Sequence, residues 1–181
     1  FKKKDNPDFQ LQFVDLLKYS NPLFKSAYIS GYTFLVRYTP WLWAVLFHFT
    51  SSRLFRFMSR PVHFISNSLN TSGFTRLLIK ENPDLIISAH FWTSEISAYL
   101  KRNKKINSRL ITVVTDFVVH PFWISRGTDL YIVASNITRE ILLKEGVSNG
   151  KIMVLGIPVD EKFQQAYDKK LLCQKIGIAE N

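Results

Sequence analysis

Asp84-Leu85-Ile86-Ile87-Ser88-Ala89-His90 is the stretch on which the fold turns. A short, almost wholly apolar run ends in a polar break. Ile96, Tyr99 and Leu100 then follow at helical spacing. The same grammar recurs downstream in Leu110-Ile111-Thr112-Val113-Val114, in Leu130-Tyr131-Ile132-Val133-Ala134 and in Ile152-Met153-Val154-Leu155. Ile137, Ile141 and Leu142 supply a second helical stripe, which Ser135 or Asn136 can cap and Gly146 can end. Strands of this composition, alternating with helices, predict a parallel α/β sheet covered on both faces.

Upstream of this unit the pattern changes. Leu11 to Leu16 reads as an earlier strand, with Pro22 closing the loop after it. Nothing before it supplies a first strand. Phe34 to Met58 is aromatic-rich and carries its charges as Arg37, Arg53 and Arg56. Its longest uncharged piece, residues 38–52, is about 15 residues, short of the roughly 20 that span a bilayer. Trp41, Trp43, Phe47 and Phe49 favour the headgroup boundary, and each Lys or Arg near an anionic surface adds about 1 kcal/mol. The stretch suits a membrane-surface helix and a core helix equally. Residues 67–75, with Gly73, are polar enough to interrupt a helix before Leu77, Leu78 and Ile79 resume one up to Pro83. After Pro158, residues 160–170 read as an exposed helix or linker.

The 181 residues allow one α/β domain with a real core but not two nucleotide-binding domains and a linker. With 24 Lys and Arg against 14 Asp and Glu, a net charge of +10 favours a polyanionic partner, either nucleic acid or an anionic lipid surface. The basic residues form no RNP-like, KH-like or zinc-finger pattern, which argues against nucleic acid. The single Cys173 excludes an internal disulfide and points to a reducing, cytoplasmic compartment. The chain begins at Phe1 without a secretory leader and reads as cut from a longer protein.

The seven glycines, Gly31, Gly73, Gly127, Gly146, Gly150, Gly156 and Gly177, form no phosphate-cradling loop. His48, His63, His90 and His120 show no zinc spacing, so no metal and no cofactor is assigned. No Gly-x-Ser-x-Gly supports a serine nucleophile. Open α/β sheets place their sites past the carboxyl ends of strands, and two histidines lie there. His90 follows the first run, and Asp116 with His120 follows Val113-Val114-Thr115. A carboxylate and an imidazole at that edge can position a sugar hydroxyl or act as base and orienter. Each is equally readable as structural: a hydrogen-bonded histidine, and an aspartate bonded to loop amides.

The run Thr115-Asp116-Phe117-Val118-Val119-His120-Pro121-Phe122-Trp123 resembles the Thr-Asp-x-x-x-His-Pro-x-Trp signature of monogalactosyldiacylglycerol synthases and the processive diacylglycerol glucosyltransferases related to them. Pro83-Asp84-Leu85-Ile86-Ile87, Asp129-Leu130-Tyr131-Ile132-Val133-Ala134-Ser135, Gly146-Val147 and Gly156-Ile157-Pro158-Val159 keep the family's order. The likeness covers roughly residues 10–165.

This resemblance implies a Rossmann-like N-terminal half of a GT-B glycosyltransferase. That half docks on the membrane and accepts diacylglycerol, and a second domain holds the UDP-sugar. The family's Gly-Gly-x-His loop, which carries the base, falls before Phe1, and the donor domain falls after Asn181. The chain is therefore expected to lack its first strand, its catalytic residues and its own turnover. Residues 1–158 are read as the acceptor and membrane domain, and 159–181 as a linker. His90, Thr115, Asp116, His120 and Trp123 would line the acceptor cleft. Arg37, Trp41, Trp43, Phe47, Arg53 and Arg56 would meet anionic lipid, and Gly156 and Pro158 would begin the interdomain link. The expected place is the cytoplasmic face of a membrane, held peripherally.

Overall fold

The computed structural model describes residues 10–51, 70–117, 119–164 and 168–178. At its centre are four parallel strands, β1 (Leu85–Ser88), β2 (Arg109–Val113), β3 (Leu130–Val133) and β4 (Ile152–Val154), which lie side by side in chain order. Ile86 pairs with Leu110, Thr112 with Tyr131 and Ile132 with Met153. Helix α4 (Phe91–Arg102) connects β1 to β2, and α5 (Asn136–Lys144) connects β3 to β4. Ser135 caps α5 by accepting from the Thr138 amide at 3.3 Å. Gly146 leaves that helix at φ +89, a conformation costly for any residue with a Cβ.

This sheet is the α/β, Rossmann-like arrangement the sequence predicts, and among the described residues its connecting helices cross on one face. Connections of one hand between strands in consecutive order all cross on the same face. On that face Thr112 Oγ1 donates to Ser94 Oγ of α4 at 3.0 Å, and Tyr131, Val133 and Ile152 pack with Leu142 of α5. On the other face the edge-strand residues Ile87, Leu85 and Met153 are exposed, Ile87 at 62%, while in the central strands Val113 is buried and Ile111, Leu130 and Ile132 are half-buried. The described crossover helices reach one side, while on the other side the central strands are also largely withdrawn from solvent and the edge strands are open.

Leu11 to Leu16 forms no strand. Leu11 and Phe13 are exposed, and Asp15 Oδ1 accepts from the Leu17 amide to start a 3-10 turn, Leu16–Tyr19. Leu16 alone of this segment is buried, beside Phe74 and Leu78 of α3 (Ser72–Glu81) and Trp92, Ile96 and Leu100 of α4. A strand needs a neighbour to take its backbone hydrogen bonds, and among the described residues no strand pairs with this segment.

Pro22 likewise opens an element rather than closing a loop. Asn21 Oδ1 accepts from the Leu23 amide at 3.0 Å, and Pro22 occupies the first turn of α1 (Pro22–Tyr38). Such Asn-Pro starts exploit a fixed φ and a missing N–H where no intrahelical bond is lost. A short turn leads into α2 (Pro40–Ser51). Asn70 is helical, Thr71 is a turn and α3 begins at Ser72, so the polar run interrupts helical structure as expected, with Gly73 inside the first turn of α3. A Cβ at Gly73 would meet the Tyr19 carbonyl oxygen at 2.9 Å, which lets the 3-10 turn lie against α3. Past β4 the chain turns at Gly156, φ +84, and ends its described part in the exposed helix α6 (Lys169–Ile176).

Candidate functional site

Because all four strands run the same way, their carboxyl ends open onto one edge. His90 follows β1, Thr115 to Trp123 follow β2, Ser135 follows β3 and Gly156 follows β4.

His90 is the N-cap of α4. Its Nδ1 accepts from the Trp92 amide at 3.2 Å, and its ring stacks on Phe91 with centroids 4.5 Å apart. Ser88 Oγ and Thr93 Oγ1 both donate to the His90 carbonyl, at 2.9 and 2.8 Å. Part of the ring reaches solvent, yet burial of the rest lowers its pKa below the ordinary value of 6.5, against an opposing pull from the Asp116 charge. Protonation at Nδ1 would break the cap, so the neutral ring carries its hydrogen on Nε2.

Asp116 is exposed and accepts at Oδ2 from the indole Nε1–H of buried Trp123, 2.7 Å away. Trp123 closes a 3-10 turn, Pro121–Trp123, and meets Phe91 edge-on at 6.1 Å. Below it, the buried Tyr131 hydroxyl accepts from the Ser125 amide and donates to the Ser125 carbonyl, at 3.0 and 3.1 Å. Thr115 is exposed at the mouth.

His120 is 8% exposed. Its Nδ1 accepts from the Phe122 amide at 3.2 Å, which leaves Nε2–H to donate to Thr50 Oγ1 at 3.1 Å. Thr50 in turn donates to the Leu46 carbonyl at 2.7 Å. Phe47 packs edge-on against the His120 ring at 4.9 Å. His120 thereby ties the end of α2 to the loop after β2. The sequence places it in the cleft; its ring atoms are committed to holding that cleft's wall.

The root of α1 is held at the same edge, where Phe24 and Tyr28 meet Trp92 at 5.1 and 5.7 Å. Tyr32 and Trp43 join the two helices edge-on at 5.3 Å. Much of the hairpin's surface nevertheless faces solvent. No residue of α1 is buried, and no residue of 40–50 is either. Trp41 is 67% exposed, and Trp43, Val45, Leu46 and Phe49 are also exposed, as are Tyr28, Ile29, Tyr32, Phe34, Val36 and Tyr38 of α1. The only charges on α1 and α2 are Lys25 and Arg37. The alternative of a core helix does not hold for the described part of this stretch. Arg53 and Arg56 lie outside the described residues, as does Val118. No helix among the described residues is long and apolar enough to cross a membrane.

A family-wide profile described as monogalactosyldiacylglycerol (MGDG) synthase matches residues 1–159, most of the chain and all of this edge. The chain belongs to that family. The MGDG synthase family is a GT-B glycosyltransferase family, and the parallel sheet here is of the Rossmann-like kind on which that fold is built. Among curated relatives, a processive diacylglycerol beta-glucosyltransferase of Staphylococcus epidermidis is 36% identical over 94 residues, 52% of this chain and 24% of its own length. The enzyme of the same name from Staphylococcus aureus is 34% identical over the same span and shares. The match thus spans about a quarter of the length of those relatives.

Thr50, Phe91 and Trp92, which fix the walls of this MGDG synthase family edge, escape sequence reasoning because none stands in a motif. The Asn21-Pro22 start was the signal that could have found α1 and its tyrosines.

Proposed function

We propose that the chain is the acceptor side of a glycosyltransferase of glycolipid synthesis, and that the whole enzyme moves a hexosyl group, galactose or glucose, from a UDP-sugar to diacylglycerol. One observation carries this beyond family membership: the apolar, acid-free hairpin α1–α2 is rooted, through Trp92 and His120, on the sheet edge that holds His90 and Asp116. An exposed apolar surface of this extent marks a membrane or partner site. Here Trp41 and Trp43 supply interfacial aromatics, whereas Phe47, expected to join them, is half-buried against His120 and roots the helix; Arg37, with Arg53 and Arg56 further along the sequence, supplies charge for anionic lipid. The protein then sits peripherally on the cytoplasmic leaflet, and a diacylglycerol leaving the bilayer beside α2 arrives at His90, Thr115, Asp116 and Trp123.

No phosphate-cradling loop can be drawn from the seven glycines. The chain's share of the reaction is therefore to hold the lipid, residues 1–158 forming that unit and Gly156 and Pro158 leading out of it. The same observation favours a second reading, a membrane lipid-binding module that performs no transfer.

Sedimentation with vesicles of neutral lipid, anionic lipid, and anionic lipid containing diacylglycerol, at low and high salt, tests the docking. Binding that requires anionic lipid and survives partly in salt is the expected result, and absence of binding to every vesicle overturns it. Transfer from labelled UDP-glucose or UDP-galactose, assayed on the complete enzyme, separates the two readings. Transfer supports the first; its absence with both donors leaves the binding module.

A further inference from the structure

We propose that His90 and Asp116 together read one hydroxyl group, His90 donating to its oxygen through Nε2–H and Asp116 accepting its proton at the carboxylate oxygen not used by Trp123. This rests on the reading of the chain as the acceptor side, and deepens it by giving each atom its part.

The first support is the state of the imidazole. A histidine in a cleft is a base only if a ring nitrogen is free to take a proton. In His90 the nitrogen with the lone pair, Nδ1, already accepts the Trp92 amide as the cap of α4. Nε2 carries the hydrogen and makes no hydrogen bond to any described residue. The neutral form is further favoured by the ring's burial. His90 is therefore a fixed donor aimed from a helix cap, rather than a base.

The second support is the carboxylate. His90 stacks on Phe91, Phe91 meets Trp123 edge-on and Trp123 donates to Asp116, so the imidazole and the carboxylate, which follow the adjacent strands β1 and β2, stand at the two ends of one aromatic row. One oxygen of Asp116 is held by Trp123 at 2.7 Å, which fixes the group at the mouth, and the residue remains exposed. A donor beside an acceptor excludes two ligand types. A phosphate oxygen would suit the imidazole but be repelled by the carboxylate. A cation would suit the carboxylate but face the N–H. A hydroxyl both donates and accepts on one atom, and so satisfies both. On a membrane-docked protein it belongs to the free glycerol hydroxyl of diacylglycerol or to a sugar already attached to that lipid. Diacylglycerol is the source that the acceptor reading favours.

Two conservative variants separate the two ring nitrogens. In His90→Asn the amide oxygen can stand where Nδ1 does, so the cap survives and the Nε2 donor is lost. In His90→Gln the amide N–H can reach the Nε2 position, so the donor survives and the cap is weakened. The readout is the partition of the protein onto anionic vesicles containing diacylglycerol, divided by that onto vesicles containing the acetyl-capped lipid, which lacks the hydroxyl. The wild-type ratio should be about three to ten, the worth of a hydrogen bond or two. His90→Asn should bring it to about one, and His90→Gln should keep most of it while lowering the unfolding midpoint.

Glucosylated diacylglycerol forms a third arm. A preference confined to it supports the same hydroxyl chemistry with the sugar as source. A wild-type ratio of one in both the diacylglycerol and the glucosylated arm on vesicles that do bind, an undiminished ratio in His90→Asn, or an equal loss in both variants each overturn the inference while leaving the proposed function standing. Failure to bind any vesicle overturns both. A ring-nitrogen NMR spectrum supplies a measure independent of lipid: the Nε2–H tautomer is expected at His90, and an Nδ1–H pattern would sink the assignment.

Discussion

At the scale of single residues, the edge is built from groups that each satisfy a backbone or indole donor before meeting solvent. Asp116 does so for Trp123, whose Nε1–H lies in the core. Asp116→Ala would leave that donor without a partner, at a cost of about 1–3 kcal/mol. Urea unfolding should show it, while Asp116→Asn, which keeps an acceptor oxygen, should lose less. His90 gives a pH signature. Its folded pKa lies below 6.5, so the folded state resists a proton that the unfolded chain accepts. The stability it contributes is complete above about 6.5 and is lost as pH falls from there toward the folded value. Unfolding midpoints measured from neutral to mildly acidic pH should fall less steeply in His90→Asn than in the wild type. Asp129 behaves alike at lower pH. Its partial burial raises its pKa, but its bonds to Lys101 and the Leu110 amide outweigh that and hold the carboxyl below the usual range. Stability from Asp129 is therefore present at neutral pH and lost as the carboxylate is titrated.

At the scale of elements, the hairpin is governed by its two attachments. Helix α2 meets the loop after β2 through the Thr50–His120 bond and the Phe47 contact. Thr50→Val keeps the shape and removes the hydroxyl, and should cost about 0.5–1.5 kcal/mol. Amide exchange in α2 should speed up while the central strands stay protected, which would show a local unlatching rather than a global loss. On the hairpin's outer surface, Arg37→Ala should weaken binding to anionic vesicles by about 1 kcal/mol, roughly fivefold, at low salt. High salt should shrink the difference, since screening acts on exposed charge. A salt-independent loss would assign Arg37 to a packing role, beside Tyr38, whose ring lies 5.4 Å from its guanidinium.

At the scale of the whole molecule, the described crossover helices pack on one face of the sheet, and the other face is exposed at its edge strands. Leu110 and Val133 are buried against the helices, whereas Ile87 and Met153 look outward. Leu110→Ala should cost about 2–5 kcal/mol. Ile87→Ser should change stability by no more than about 0.5 kcal/mol. A large loss at Ile87 in solution would show that something covers that face. The one-sided crossovers, the hairpin and the site follow from one fact: β1 to β4 are parallel and consecutive. That arrangement gathers every βα loop on a single edge and leaves the roots of α1 and α2 to close it.

The sequence alone determined the four strands to within a residue or so, the two crossover helices, a cap at Ser135 or Asn136 and the family, because apolar period, turn chemistry and a spaced motif are local properties. It also marked His90, Asp116 and Trp123, since residues just past a parallel strand can lie only at the sheet's edge. Tertiary structure decided what local pattern cannot. Leu11 to Leu16 has strand-like apolar content, but no strand among the described residues pairs with it, and it forms a loop and a 3-10 turn. The aromatic stretch suited core and surface equally, and only the positions of α1 and α2 beside the sheet left much of it facing solvent. The tautomers of His90 and His120 depend on which backbone amide or hydroxyl each ring meets. Those partners are set by the folded chain, 70 residues apart for Thr50 and His120, and no spacing in the sequence encodes such a meeting.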